Sequence, residues 1–142
     1  MKKKNVIIIT TAFLILVVAL IGWKIWVNAP ERKAAQFIAQ NGSEFSELVN
    51  SGQAIPKTFN GVTIDVWNGE HLMYEFLLGS GIGEHQYWGV YYSPDDVPLS
   101  FQNTDVPLLE NSEGSWTWQA EGNNHGTTQK IAPKWYYFEA SF

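Results

Sequence analysis

The chain has no cysteine among its 142 residues, and that absence closes several chemistries at once. No disulfide can staple the fold, no thiolate can hold zinc, no cysteine can serve as a transpeptidase nucleophile, and no lipid can be joined through an N-terminal Cys. Positive charge is scarce as well. Four of the nine basic residues, Lys2, Lys3, Lys4 and Lys24, precede residue 28, whereas all 14 acidic ones follow it. Residues 28–142 therefore carry five positive and 14 negative charges, about −9. A surface that acidic repels phosphate backbones, which argues against nucleic acid as a partner. Motifs are missing too: there is no His-x-His or His-Glu-x-x-His spacing for zinc, no Asp-x-Asp-x-Asp-Gly loop for calcium, and no Ser-x-x-Lys. Ser80 has Leu78 and Ile82 where a nucleophile elbow needs glycines. No metal and no cofactor is expected.

What is present begins with an apolar run, Val6 to Trp23, of 18 uncharged residues. As a helix it would cover about 27 Å, near the roughly 30 Å of a bilayer's hydrocarbon. A cleaved signal would have a shorter apolar region and small residues after it, but Trp23, Lys24, Ile25 and Trp26 follow here. The expectation is a retained signal anchor over 6–27, with a cytoplasmic tail at 1–5 and an extracytoplasmic domain at 28–142. That makes the membrane a partner through 6–27 and the location the cell membrane, single-pass, N-terminus inside.

Residues 30–51 read as an amphipathic helix. Pro30 suits its first turn, and Ala34, Phe37, Ile38, Phe45, Leu48 and Val49 make one stripe. A kink is open at Asn41-Gly42, and Gly52 is the natural stop. Alternating segments then follow at 62–67, 70–78, 86–92, 115–121, 127–131 and 134–141. Asn68-Gly69 predicts a two-residue hairpin pairing Trp67 with Glu70 and Val66 with His71. Asn60-Gly61 offers a turn for a shorter leading strand, Gly79–Gly83 a loop, and Gly89 a bulge. The expected fold class is α+β: an N-terminal transmembrane helix, and one amphipathic helix packed on a five- to six-stranded antiparallel β-meander.

The set Tyr91-Tyr92-Ser93-Pro94-Asp95-Asp96-x-Pro98, Phe101-Gln102, Trp116-x-Trp118, Asn124-x-Gly126 and Trp135-Tyr136-Tyr137-Phe138-Glu139-Ala140 resembles small membrane-anchored or secreted proteins of Gram-positive bacteria. The likeness covers roughly residues 86–142. It implies an anchored α+β domain of that provenance and carries over no catalytic or binding residue.

Two candidate sites remain. The chain is rich in rings, with seven Trp, six Tyr and eight Phe, and alternation puts them on both faces of the sheet. One helix covers one face, so either the apolar loop 97–114 covers the other or a ring platform binds a ligand there. Trp116, Trp118, Tyr91 and Tyr92 are the platform candidates, with a partner protein or cell-wall glycan as ligand. The alternative is a carboxylate-dependent hydrolase using Glu84, Asp95 and Asp96 beside His85. The bland reading of those acids is a turn at Ser93–Pro98, since Pro presets φ and Asp bonds its own backbone. His71 and His125 have no helper in sight. The expected function is a tethered binding domain, with the hydrolase as runner-up.

Overall fold

The computed structural model describes residues 2–81 and 85–142, and within the first helix the side chains of 11 and 13–24. The chain divides into two compact units, Met1–Lys33 and Ala34–Phe142. The first contains helix α1 (Lys2–Val27). Its side chains Phe13, Leu14, Ile15, Leu16, Val18, Leu20, Ile21 and Trp23 are 54–66% exposed. The expectation of a signal anchor over 6–27 is corrected: among the described residues no helix is long and apolar enough to cross a membrane. The described apolar stretch, 13–23, covers roughly 17 Å of helix against about 30 Å of hydrocarbon. Side chains 6–10, 12 and 25–27 of the expected span lie outside the described residues. The N-inside, domain-outside, single-pass location rested on that span and goes with it.

The second unit is built on a sheet of eight strands, not five or six, in the order β1-β2-β3-β4-β8-β7-β6-β5. The strands are β1 (Thr58–Phe59), β2 (Val62–Trp67), β3 (Met73–Ser80), β4 (Gln86–Tyr92), β5 (Leu109–Ser112), β6 (Ser115–Gln119), β7 (His125–Ala132) and β8 (Trp135–Ser141). Nor is it one meander. Two four-stranded meanders, β1–β4 and β5–β8, meet where β4 pairs antiparallel with β8. The two extra strands are the edge ones. β1 has two residues and β5 four, all four exposed, so neither carries the alternating burial that marks a strand in sequence.

Helix α2 (Pro30–Asn50) is continuous through Asn41-Gly42. The Asn41 side chain donates to the Phe37 carbonyl at 2.9 Å and accepts from Asn60 Nδ2 at 2.6 Å, tying the β1–β2 turn to the helix. A Cβ on Gly42 would stand 3.3 Å from the Trp135 indole, so the missing side chain lets the helix lie close. The helix stops as expected, with Gly52 at φ +69. Its stripe covers one face of the sheet. There Phe45 sits among Phe59, Tyr74, Phe76, Tyr92 and Trp135, with ring centroids 4.9–5.8 Å away.

The opposite face carries Met73, Tyr91, Tyr136 and Phe138, and Val97, Leu99 and Phe101 of the β4–β5 connection pack over them. The loop, in other words, closes the second face. Tyr91 and Tyr136 stack at 5.0 Å and 6°. The Tyr91 hydroxyl accepts from the Leu99 N–H at 2.8 Å and donates to its carbonyl at 3.1 Å, and the Thr128 hydroxyl donates to the same carbonyl.

The β2–β3 register departs from expectation. Trp67 pairs with Met73 and Val66 with Tyr74, so residues 68–72 form a five-residue loop. The turn expected at Asn60-Gly61 does form and is the tight one, with φ +48 and +84, the positive angles such a turn requires. Loop 68–72 is held by Asn103, whose Nδ2 donates to the His71 carbonyl at 2.7 Å. The register shift near Gly89 lies in β3, between Leu77 and Gly79.

Candidate functional site

The altered register has a chemical result: it sets Asp65 of β2 directly beside Glu75 of β3, which in turn pairs with Tyr91 of β4. Glu75 points to the loop-covered face, between Met73 and Leu77, and is 3% exposed. Over it lies a 3-10 turn, Phe101–Asn103, in which both Gln102 and Asn103 have φ +53. Two successive left-handed residues without a glycine cost on the order of 1 kcal/mol each. That backbone strain turns the Gln102 N–H toward the Glu75 carboxyl and the Asn103 amide toward loop 68–72.

Burial pushes the Glu75 carboxyl up to about 7. The Gln102 backbone N–H draws it partly back, the nearby Asp65 charge raises it again, and the Trp67 indole lowers it slightly. These neighbours do not satisfy the group. Glu75 Oε2 and Trp67 Nε1 are both buried without a hydrogen-bond partner among the described residues, an arrangement that costs folding free energy. A cavity of about 330 Å³ opens beside the carboxyl, lined by Asp65, Glu75, Leu77, Tyr87, Phe101, Gln102 and Phe142. Phe142 stands 5.1 Å from Phe101 and 6.1 Å from Tyr87 between ring centroids. The cleft thus combines two carboxyls and three rings, and among the described residues its lining has no basic one.

The expected platform is arranged differently. Tyr91 and Tyr92 are buried on opposite faces of β4. Trp118 is 5% exposed, with its indole laid over Gly126, where a Cβ would stand 2.6 Å from the ring. Trp116 is half-buried against Tyr136, 6.2 Å away. Tyr91, Trp116 and Trp118 are packed into the sheet's second face and its extension, and Tyr92 into the helix-covered face.

The acids of the hydrolase alternative do not come together. Glu84 lies outside the described residues. His85 precedes β4 and Asp95 follows it, so a whole strand of roughly 20 Å separates them. The Asp95 carboxylate lies 2.9 Å from His71 Nδ1 in an exposed pair, accepting from the ring N–H. Asp96 is a structural tie: its carboxylate takes Lys130 Nζ at 2.7 Å and the Lys134 N–H at 2.8 Å, and the Tyr136 hydroxyl donates to it at 3.1 Å. Burial alone would raise its pKa, but these three donors together hold it below the usual carboxylate value. A second hollow of about 270 Å³ lies between loop 68–72 and residues 98–108. Its Ser100 hydroxyl is spent on Thr104 and its Asn103 amide on His71. Among the described residues no three His, Asp or Glu gather as a metal site.

Glu75 is the residue the sequence reading missed, and a signal for it exists. In Met73-Tyr74-Glu75-Phe76-Leu77 a lone acid interrupts an apolar run. Such a strand is covered on both faces, so its acid is buried whichever way it points.

The class defined by this architecture is an antiparallel sheet of two fused meanders, capped by a helix on one face and a loop on the other. No family, curated protein or solved structure matches the chain.

Proposed function

We propose that the protein is a non-catalytic binding domain whose ligand enters the cleft over Glu75. The observation that carries this reading is an open cavity of about 330 Å³ whose wall sets the buried Glu75 side chain and Asp65 among three rings. Carboxyls whose titration is shifted by burial inside a cleft cluster at functional sites. The wall sets rings and a leucine against three polar side chains, Asp65, Glu75 and Gln102, and its volume is at the small end of the range for small-ligand sites. A partner molecule, whether a protein side chain or a component of surrounding material, would therefore insert one compact group.

The test is a panel of small cationic, neutral and anionic compounds, sugars included, added to the 15N-labelled full chain. Saturable amide shifts at 65, 75, 77, 87, 101, 102 and 142 support the reading. Shifts only around 69–71 and 98–106, or none from any compound, overturn it.

A further inference from the structure

We propose that the Phe101–Asn103 turn is a pH-gated cover over Glu75, closed while that carboxyl carries its proton and lifted from the sheet once it is ionised. Four features of the second face combine in it. Glu75 is 3% exposed beneath the turn, and the residue in register with it on β2 is another acid, Asp65. Among the described residues no basic side chain lines the cavity beside them. The turn holds two successive non-glycine residues at φ +53, a conformation they leave on opening. The cavity itself, of about 330 Å³, gives water a route to the carboxyl.

The forces on the turn oppose one another. Phe101 holds it down, its ring centroid 5.6 Å from that of Phe138, 6.4 Å from Trp118 and 5.1 Å from Phe142. The flanks are pinned as well, Leu99 by the Tyr91 hydroxyl and the Asn103 side chain by the His71 carbonyl. Between those anchors, rotation at Gln102 and Asn103 swings the Phe101 ring and the Gln102 N–H away from the sheet. The charge of an ionised Glu75 pushes up. Burial makes that charge costly and Asp65 adds to the cost; the Gln102 N–H and the Trp67 indole favour the anion and soften the push without reversing it. β4 brings two tyrosines to this face, Tyr87 and Tyr91, and no charged side chain. Lifting the turn hydrates the carboxylate and relaxes the strained pair together, so ionisation and opening favour each other. In mildly acidic surroundings the cleft is shut; above neutrality it widens and uncovers Phe138 and Trp118. The gate does not depend on whether the cleft takes a ligand.

The experiment is amide hydrogen exchange on the 15N-labelled full chain at pH 5 and pH 8, with and without mild urea, after base catalysis is divided out. The Gln102, Asn103 and Thr104 amides, which bond to Glu75, Ser100 and Phe101, report on the turn. With the carboxyl titrating near 7 when closed and near 4.5 when open, their protection should fall roughly 70-fold from pH 5 to pH 8. Urea should leave that protection unchanged, since lifting a turn exposes little surface, whereas protection in β4 and β8 should fall with urea. Glu75→Gln should abolish the pH response at 102–104. Histidine changes charge in the same interval, and the His71 carbonyl holds Asn103, so a response that survives in Glu75→Gln belongs to His71 and overturns the proposal. Protection at 102–104 that is equal at both pH values overturns it too. So does protection there that follows urea in step with β4 and β8, because Glu75 then ionises only when the whole sheet opens.

Discussion

Glu75 makes the folded protein hold a proton that the unfolded chain would release. Its carboxyl titrates near 7 in the fold against an ordinary 4.5. Between those values the folded state binds the extra proton, so this contribution to stability is full below about pH 4.5 and falls as pH rises, gone above about 7. Across the window the loss is on the order of 3 kcal/mol. Glu75→Gln removes the titration and should flatten that slope, leaving the variant more stable than the parent at pH 8. Urea unfolding of both proteins at pH 5 and pH 8 reads the difference; equal slopes would show that the carboxyl is not buried. Tyr91 offers a second residue-level test. Its hydroxyl serves both the N–H and the carbonyl of Leu99; the carbonyl keeps the Thr128 hydroxyl, so Tyr91→Phe strands the buried N–H. We expect a loss of about 1–3 kcal/mol in the same assay. Tyr136 differs in kind: burial first, then the Asp96 carboxylate, raises its pKa, so its hydroxyl stays protonated and keeps donating.

At the scale of elements, α2 acts mainly through one ring. Phe45→Ala would empty a site bounded by five aromatics and should cost about 3–5 kcal/mol, measured by calorimetry or denaturant. Gly126→Ala tests the other face. A Cβ there would stand 2.3 Å from the Glu139 carbonyl and 2.6 Å from the Trp118 indole, so strand or ring must move. The expected loss is about 1–3 kcal/mol, with a changed Trp118 fluorescence spectrum. What was legible in the sequence sorts along the same line. The helix 30–50, its stop at Gly52 and the ring alternation on β4 and β8 were readable because apolar spacing follows the geometry of the element. Edge strand β5 was not, and β1 showed only through its Asn60-Gly61 turn, because a short exposed strand is defined by its partner and not by its own pattern. The Asn-Gly rule held at one of the two pairs it was applied to, Asn60-Gly61, and failed at Asn68-Gly69. Asn60-Gly61 and Asn68-Gly69 are equal locally, and only the Asn103 amide, thirty-odd residues further on, decides that loop 68–72 opens. The cleft was invisible for the same reason, since it needs that long-range register. The spanning helix failed differently, on the length of its described apolar part.

For the whole second unit, the β4–β8 pairing is the seam that makes two meanders into one sheet. It joins seven residue pairs, from Gln86↔Ser141 to Tyr92↔Trp135, and each carries rings to both covered faces. Amide hydrogen exchange should therefore be slowest in β4 and β8 and fastest in β1 and β5. An even pattern across all eight strands would mean that the meanders do not depend on each other. The acidic balance acts at this scale also: with 13 acidic and three basic residues in 34–142, self-repulsion among about ten net negative charges is eased by salt, which should raise the melting temperature modestly.

The same seam has a consequence for biosynthesis. A ribosome delivers β4 long before β8, and in the interval the nascent chain presents an open strand border flanked by bare tyrosine and tryptophan rings. Translation that stalls ahead of Trp135 would leave that border uncapped, a ready template for strand exchange between neighbouring chains.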